Sequence, residues 1–119
     1  MQWKDLGVWK KAHELALEIY RITSKFPSNE IFGITNQLRR AASSVPANIV
    51  EGQSKNTTKE YLQFLYNARG SLEETRYFLL LAKDLQYIDM EEHNRFELNC
   101  ETVSKMLNGL IKSLKGIRT

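Results

Sequence analysis

Apolar residues recur at alternating intervals of four and three along almost the whole chain, and no other feature limits its fold as much. The first stretch carries Val8, Ala12, Leu15, Ile19, Ile22 and Phe26. At 100° per residue that spacing draws one stripe along one side of an α-helix. Pro27-Ser28-Asn29 interrupts it, with N-cap candidates and with Glu30 placed to favour the next N-terminus. The second stretch has smaller residues, Ile34, Leu38, Ala41, Val45 and Ile49, and ends near Gly52 before a polar loop at 53–56. Thr57-Thr58-Lys59-Glu60 then predicts a capping box. Behind it Tyr61, Leu65, Ala68, Leu72, Thr75, Leu79 and Ala82 form a third stripe, on a helix about 40 Å long at 1.5 Å per residue. A short connection, Gln86-Tyr87-Ile88, leads to a second capping box at Asp89-Met90-Glu91-Glu92. The last stripe is Phe96, Cys100, Val103, Leu107, Leu110, Leu114 and Ile117. Strict apolar/polar alternation nowhere runs long enough for a strand. The class is all-α.

Short connections make neighbouring helices antiparallel, so the expected architecture is an up-and-down antiparallel four-helix bundle, one domain over residues 1–119. Three helices with a frayed end fit less well than four. Length agrees with one domain, since 119 residues is an ordinary single-domain size. A single cysteine, Cys100, excludes an internal disulfide and a zinc ribbon and suits a reducing compartment. The longest apolar run has six residues, far short of the roughly 20 that a membrane span needs. The leading Met1-Gln2-Trp3-Lys4-Asp5 lacks a secretory apolar region, so a cytoplasmic location is expected. Seventeen basic against fourteen acidic residues give +3, which permits an acidic partner without demanding one.

The six-residue run is Tyr77-Phe78-Leu79-Leu80-Leu81-Ala82. Successive residues turn by 100°, so the run covers every side of its helix, whereas a bundle core takes a stripe little over 100° wide. Either neighbouring helices shelter the surplus or it forms a second seam between subunits. The seam is the preferred reading, supported by Tyr61, Phe64 and Tyr66 on the same helix, and it predicts a homo-oligomer.

Catalytic patterns are missing from the sequence. Di-metal bundles need Glu-x-x-His on two helices, but Lys10 precedes His13 and Met90 precedes His93 at that spacing, so no metal site is expected. No phosphate-binding glycine loop, zinc-protease motif or nucleophile elbow occurs, and no cofactor is implied. Cys100 lies on an apolar stripe, where a buried thiol acts as a small hydrophobe.

Residues 37–52 carry more information. Gln37, Arg40, Ser44, Asn48 and Glu51 fall on one polar side of the second helix, with Leu38, Ala41, Val45 and Ile49 opposite. Pro46 sits inside this period, removes a backbone donor and opposes the Ala42 carbonyl, so a kink is expected. The polar residues around it either serve the helix and its neighbours or serve binding. On the structural reading Asn48 and Glu51 form a polar network with Glu73 of the third helix, near the close-packing Gly70-Ser71.

Phe32-Gly33-Ile34-Thr35, Gln37-Leu38-Arg39-Arg40-Ala41 and Val45-Pro46-Ala47-Asn48-Ile49-Val50-Glu51-Gly52 resemble the signature of the four-helix-bundle proteins named for the 23S rRNA intervening sequence. Gly70-Ser71-Leu72-Glu73-Glu74 and Met106-Leu107-Asn108-Gly109-Leu110-Ile111 are similar to that family's later motifs, so the resemblance covers nearly the whole chain in order. One departure is Gln86, where the family commonly has glycine; a left-handed turn there suits glutamine less well. The resemblance implies a ring-shaped homopentamer. Its relatives include the accessory variability protein of diversity-generating retroelements, a basic pentamer that works with a reverse transcriptase and nucleic acid. The family name records where many of its genes lie, inside insertions in the large-subunit rRNA gene, and fixes no molecular activity.

Two functions are expected to compete. In the first, a non-catalytic oligomer binds RNA or DNA electrostatically through Arg39, Arg40, Lys55, Lys59 and Arg69; five copies at +3 each carry a formal +15. Arg40 shares the polar face, so Arg39 is the better phosphate contact of the two. In the second, the ring is a scaffold for an RNA-processing, polymerase or reverse-transcriptase partner. An RNA-cleaving enzyme is disfavoured because no acid–base pair stands out. The basic tail, Lys105, Lys112, Lys115 and Arg118, follows an acidic helix start, which the helix dipole alone favours.

Overall fold

Each periodic stretch forms a helix in the computed structural model, which describes residues 2–117. Met1 and Arg118, the latter from the basic tail, lie outside the described residues. The helices are α1 (Gly7–Thr23), α2 (Ile34–Gln53), α3 (Thr58–Asp84) and α4 (Met90–Lys115). Short 3-10 turns occupy Trp3–Asp5 and Ser28–Glu30. Helix α1 packs on α2 and α4, and α3 packs on the same two, so the helices form an antiparallel bundle about 48 Å long in the order of the chain. One end gathers the start of α1, the end of α2, the start of α3 and the end of α4; the opposite end carries the α1–α2 and α3–α4 connections.

The apolar stripes make the core. Ile19, Leu38, Val45, Ile49, Leu65, Leu72, Leu79, Phe96, Cys100 and Leu107 are fully buried, drawn from all four helices. The end of α4 departs from expectation: Ile111 is buried, Leu110 and Leu114 only partly, and Ile117 is exposed. Helix α1 begins level with Met106, whose methyl lies 3.0 Å from where a Cβ on Gly7 would stand, so the last turns of α4 extend beyond the α1 partner.

The helix ends correct two further expectations. Glu30 does not start α2, which begins at Ile34 with Gly33 as an N-cap lacking a side-chain bond. Its carboxylate instead accepts from the Tyr87 hydroxyl at 2.7 Å, tying the α1–α2 connection to the α3–α4 turn. The first capping box is half formed. Thr57 accepts from the Glu60 N–H, but its hydroxyl donates to the Glu60 carboxylate at 3.0 Å, which takes up the acceptor meant for the backbone. The box of Asp89 and Glu92 is complete. Helix α2 runs unbroken across Pro46, which lies in its buried stripe.

The turn after α3 closes on a left-handed residue. Gln86 has φ 65°, and its N–H donates to the Lys83 carbonyl while Tyr87 N–H donates to Ala82, the Schellman pattern usually completed by glycine. A side chain in this region costs about 1–2 kcal/mol, partly offset because glycine gains freedom in the unfolded chain. Gln86→Gly is therefore expected to raise stability by about 0.5–1 kcal/mol in a urea titration. A loss of stability would mean that the glutamine side chain outweighs its own backbone strain.

Candidate nucleic-acid interface

The five candidate cations fall in two places. Arg39 is half-buried: its Nε donates to Thr23 Oγ1 at 2.8 Å, and its guanidinium lies 4.9 Å from the Tyr20 ring centre. Thr23 is itself buried and donates to the Ile19 carbonyl at 2.7 Å, so Arg39 locks α2 onto the end of α1. Arg40 is exposed and donates to Gln37 Oε1 at 3.1 Å, one turn back on its own helix. The order of the two arginines is thus the reverse of the sequence expectation. Arg39 lies on the side of α2 that meets Tyr20 and Thr23, and Arg40 is left to solvent.

Thirteen residues of helix separate Arg40 from the end of α2, about 20 Å of rise, so the arginine pair is remote from the α2–α3 loop. At that loop stand Lys55, 4.9 Å above the Phe64 ring, and Lys59, exposed in the first turn of α3. Arg69 follows about 15 Å along α3 from Lys59. Its Nη1 donates to Asn108 of α4 at 3.2 Å, and its guanidinium lies 5.1 Å from the Tyr66 ring. The Lys115 ammonium from α4 lies 5.5 Å from the same ring. Two cations from different helices therefore share one aromatic ring, at the end of the bundle that also holds Lys55 and Lys59. Lys115 is a residue that sequence reasoning assigned to helix stability.

The expected polar network is split in the same way. Asn48 Nδ2 donates to the Ser44 carbonyl at 2.8 Å within α2, and Glu51 is exposed. Glu73 instead belongs to an α3–α4 clamp: Arg76 donates to Glu73 at 3.1 Å and to both oxygens of Glu97 at 3.0 and 3.4 Å. The bonds to Glu97 are the main reason that Arg76 is held even more firmly protonated than usual. Beneath the clamp lies Cys100, whose thiol is pushed up to about 12, first by burial and then by the charge of Glu97. At that value it is a hydrophobe and not a nucleophile at neutral pH. Glu97 was missed by sequence reasoning. Arg76 and Glu97 stand equally far on either side of the turn at Gln86-Tyr87, and a helical hairpin brings such positions together.

Among the described residues no group of three or more His, Cys, Asp and Glu is placed to hold a metal ion, and no helix is long and apolar enough to cross a membrane. His13, one of the two histidines, stacks on Trp9 with ring centres 5.0 Å apart, and Trp9 in turn meets Trp3 edge-on at 4.9 Å.

Comparison with known proteins places this arrangement. The sequence profile of the 23S rRNA-intervening sequence protein family matches residues 4–109. The chain belongs to that family. No curated protein matches it. A solved structure from Bacteroides thetaiotaomicron, of a protein with unknown function from the S23 ribosomal protein family, is similar with a TM-score of 0.82 at 25% identity. The similarity covers 88% of this chain and 95% of that one. Within the family signature the structure gives two residues mechanical roles. Gly52 allows α2 to reach Tyr61 and Phe64, and Arg39 fastens α2 to α1.

Proposed function

We propose that this member of the 23S rRNA-intervening sequence protein family is a non-catalytic cytoplasmic homo-oligomer, a ring of five, that binds RNA or DNA through its phosphates. The observation that carries the reading is the meeting of Arg69 and Lys115 over Tyr66, with Lys55 and Lys59 at the same end of the bundle. Two like charges beside one ring, with no carboxylate among the described residues bonded to either, leave a concentration of positive charge that phosphate neutralises. A ring repeats that patch in every copy, so weak contacts sum along one polyanion. The patch contains no base-reading element, and sequence selectivity is expected to be low.

Titrating the purified protein with an rRNA fragment and with an unrelated RNA across a salt series tests this. Replacing Lys55, Lys59, Arg69 and Lys115 by glutamine is expected to flatten the slope of log affinity against log salt by about 0.7 per lost contact on single strands. Replacing Arg40 alone should change it little. No binding to either RNA at low salt overturns the reading in favour of the protein scaffold. The feature that favours a scaffold is the uncovered apolar groove between α1 and α2, lined by Trp9, Leu17, Tyr20, Pro46 and Val50.

A further inference from the structure

We infer that the groove between α1 and α2 is a stacking slot for unpaired bases of a single-stranded nucleic acid. The inference rests on the phosphate binding proposed above and names the form of nucleic acid that the same end of the bundle takes. The groove holds about 340 Å³, the volume of a small-ligand site. Rings line it: Trp3, Trp9 and His13 toward its mouth and Tyr20 at its far end, with Pro46 and Ala47 opposite. The Trp9 and His13 rings are stacked, 8° from parallel at 5.0 Å, and Trp3 meets Trp9 edge-on. His13 is exposed, so a further flat ring can extend that stack. Tyr20 is 45% exposed and is backed by Arg39, which Thr23 holds in place. His13 and Tyr20 are seven residues apart, about 10 Å of rise, with the small Ala16 between them and the small Ser43 and Ala47 on α2.

Chemistry and position both select a base as the occupant. Every base has a flat π-face that stacks on Trp, Tyr or His whatever its sequence, and each base is carried on a phosphate. Among the described residues none that lines the groove is acidic, so a phosphate chain meets no like charge there. The mouth lies where that chain is held. Val50, which lines it, is three residues from the end of α2, and Trp3 precedes α1. The groove therefore opens at the end of the bundle that carries Lys55 and Lys59. The Lys4 ammonium stands 5.4 Å from the Trp3 ring at the same mouth, a cation that an apolar protein segment would not need. A strand anchored there by its phosphates can turn unpaired bases into the groove. A duplex cannot, because its bases are stacked and paired with one another.

Tryptophan fluorescence tests the slot, because both tryptophans of the chain line the groove. Oligo(A) and oligo(dA) are expected to quench it on binding. Inorganic polyphosphate, which has phosphates and no bases, is expected to bind without quenching, and so is the duplex of oligo(A) with oligo(U). Replacing His13 and Tyr20 together by alanine should weaken the single strands about fivefold or more and leave polyphosphate binding unchanged. Both side chains are exposed, and circular dichroism checks that the variant is folded. Ala47→Glu, which sets a carboxylate at an exposed position of the groove, replaces it if it is not. Quenching by one sugar type alone still places bases in the slot and names the acid. Single strands that bind without quenching, or that bind the variant as tightly as the wild type, overturn the slot, return the groove to a protein partner and leave the phosphate binding standing. Failure of every polyanion to bind at low salt overturns both.

Discussion

Truncation of Phe96 to alanine is expected to lower the free energy of unfolding by about 3–5 kcal/mol. Phe96 is the largest of the fully buried side chains, two turns into α4 and one turn from Cys100 on the same stripe. Removing its ring loses the transfer energy of the apolar surface and leaves a cavity that the surrounding helices fill only in part. The whole stability of a domain this size is about 5–15 kcal/mol, so the variant should stand near the edge of folding. A urea titration that finds a cost below 1 kcal/mol would show that the site collapses around the missing ring. That outcome would contradict a tightly packed core at this end of the bundle.

Gly52→Ala is expected to destabilise, against the usual rule for a glycine inside a helix. An alanine normally gains about 0.5–1 kcal/mol over glycine at such a position. At Gly52 the added Cβ would stand 2.9 Å from Tyr61 Cδ1, 3.0 Å from Phe64 Cβ and 3.2 Å from the Tyr61 carbonyl oxygen. Two of those atoms are tied to the backbone of α3 and cannot swing aside, so the helices must separate along their most extensive contact. Overpacking of this kind costs about 1–3 kcal/mol and exceeds the gain. Gly109→Ala is the control, because beyond its own turn of helix no atom of the described residues lies within 4 Å of the added methyl. The two substitutions should shift the urea midpoint in opposite directions; a shared sign would remove the close-approach explanation for Gly52.

The same contact shows why some of the site escaped the sequence. Gly52 and Tyr61 stand close on either side of the α2–α3 loop, two and four residues from its ends, and Arg76 and Glu97 stand equally far on either side of Gln86-Tyr87. Reflection about a hairpin turn is visible in a sequence once the turn is placed, so both pairs were within reach. Lys115 over Tyr66 was not, because the ends of α3 and α4 are offset and a long flexible cation has several rings and carboxylates to choose from.

The sequence by itself determined the four helices, their antiparallel order and nearly all of the core, because a buried stripe requires only that apolar residues repeat with the period of the helix. It also marked Gln86, since a glycine-like turn position holding a side chain is a local matter. Only the tertiary structure decided which cations are spent. Arg39 and Arg40 are neighbours of one residue type, yet a 100° turn puts Thr23 and Tyr20 beside one and solvent beside the other. It also decided that Tyr77 and Leu80, on the surplus apolar side of α3, stay exposed, because that depends on which sides the neighbouring helices cover. Burial is set by a period within one segment. A charged or half-exposed side chain takes its partner from another segment, and that choice exists only after the helices have packed.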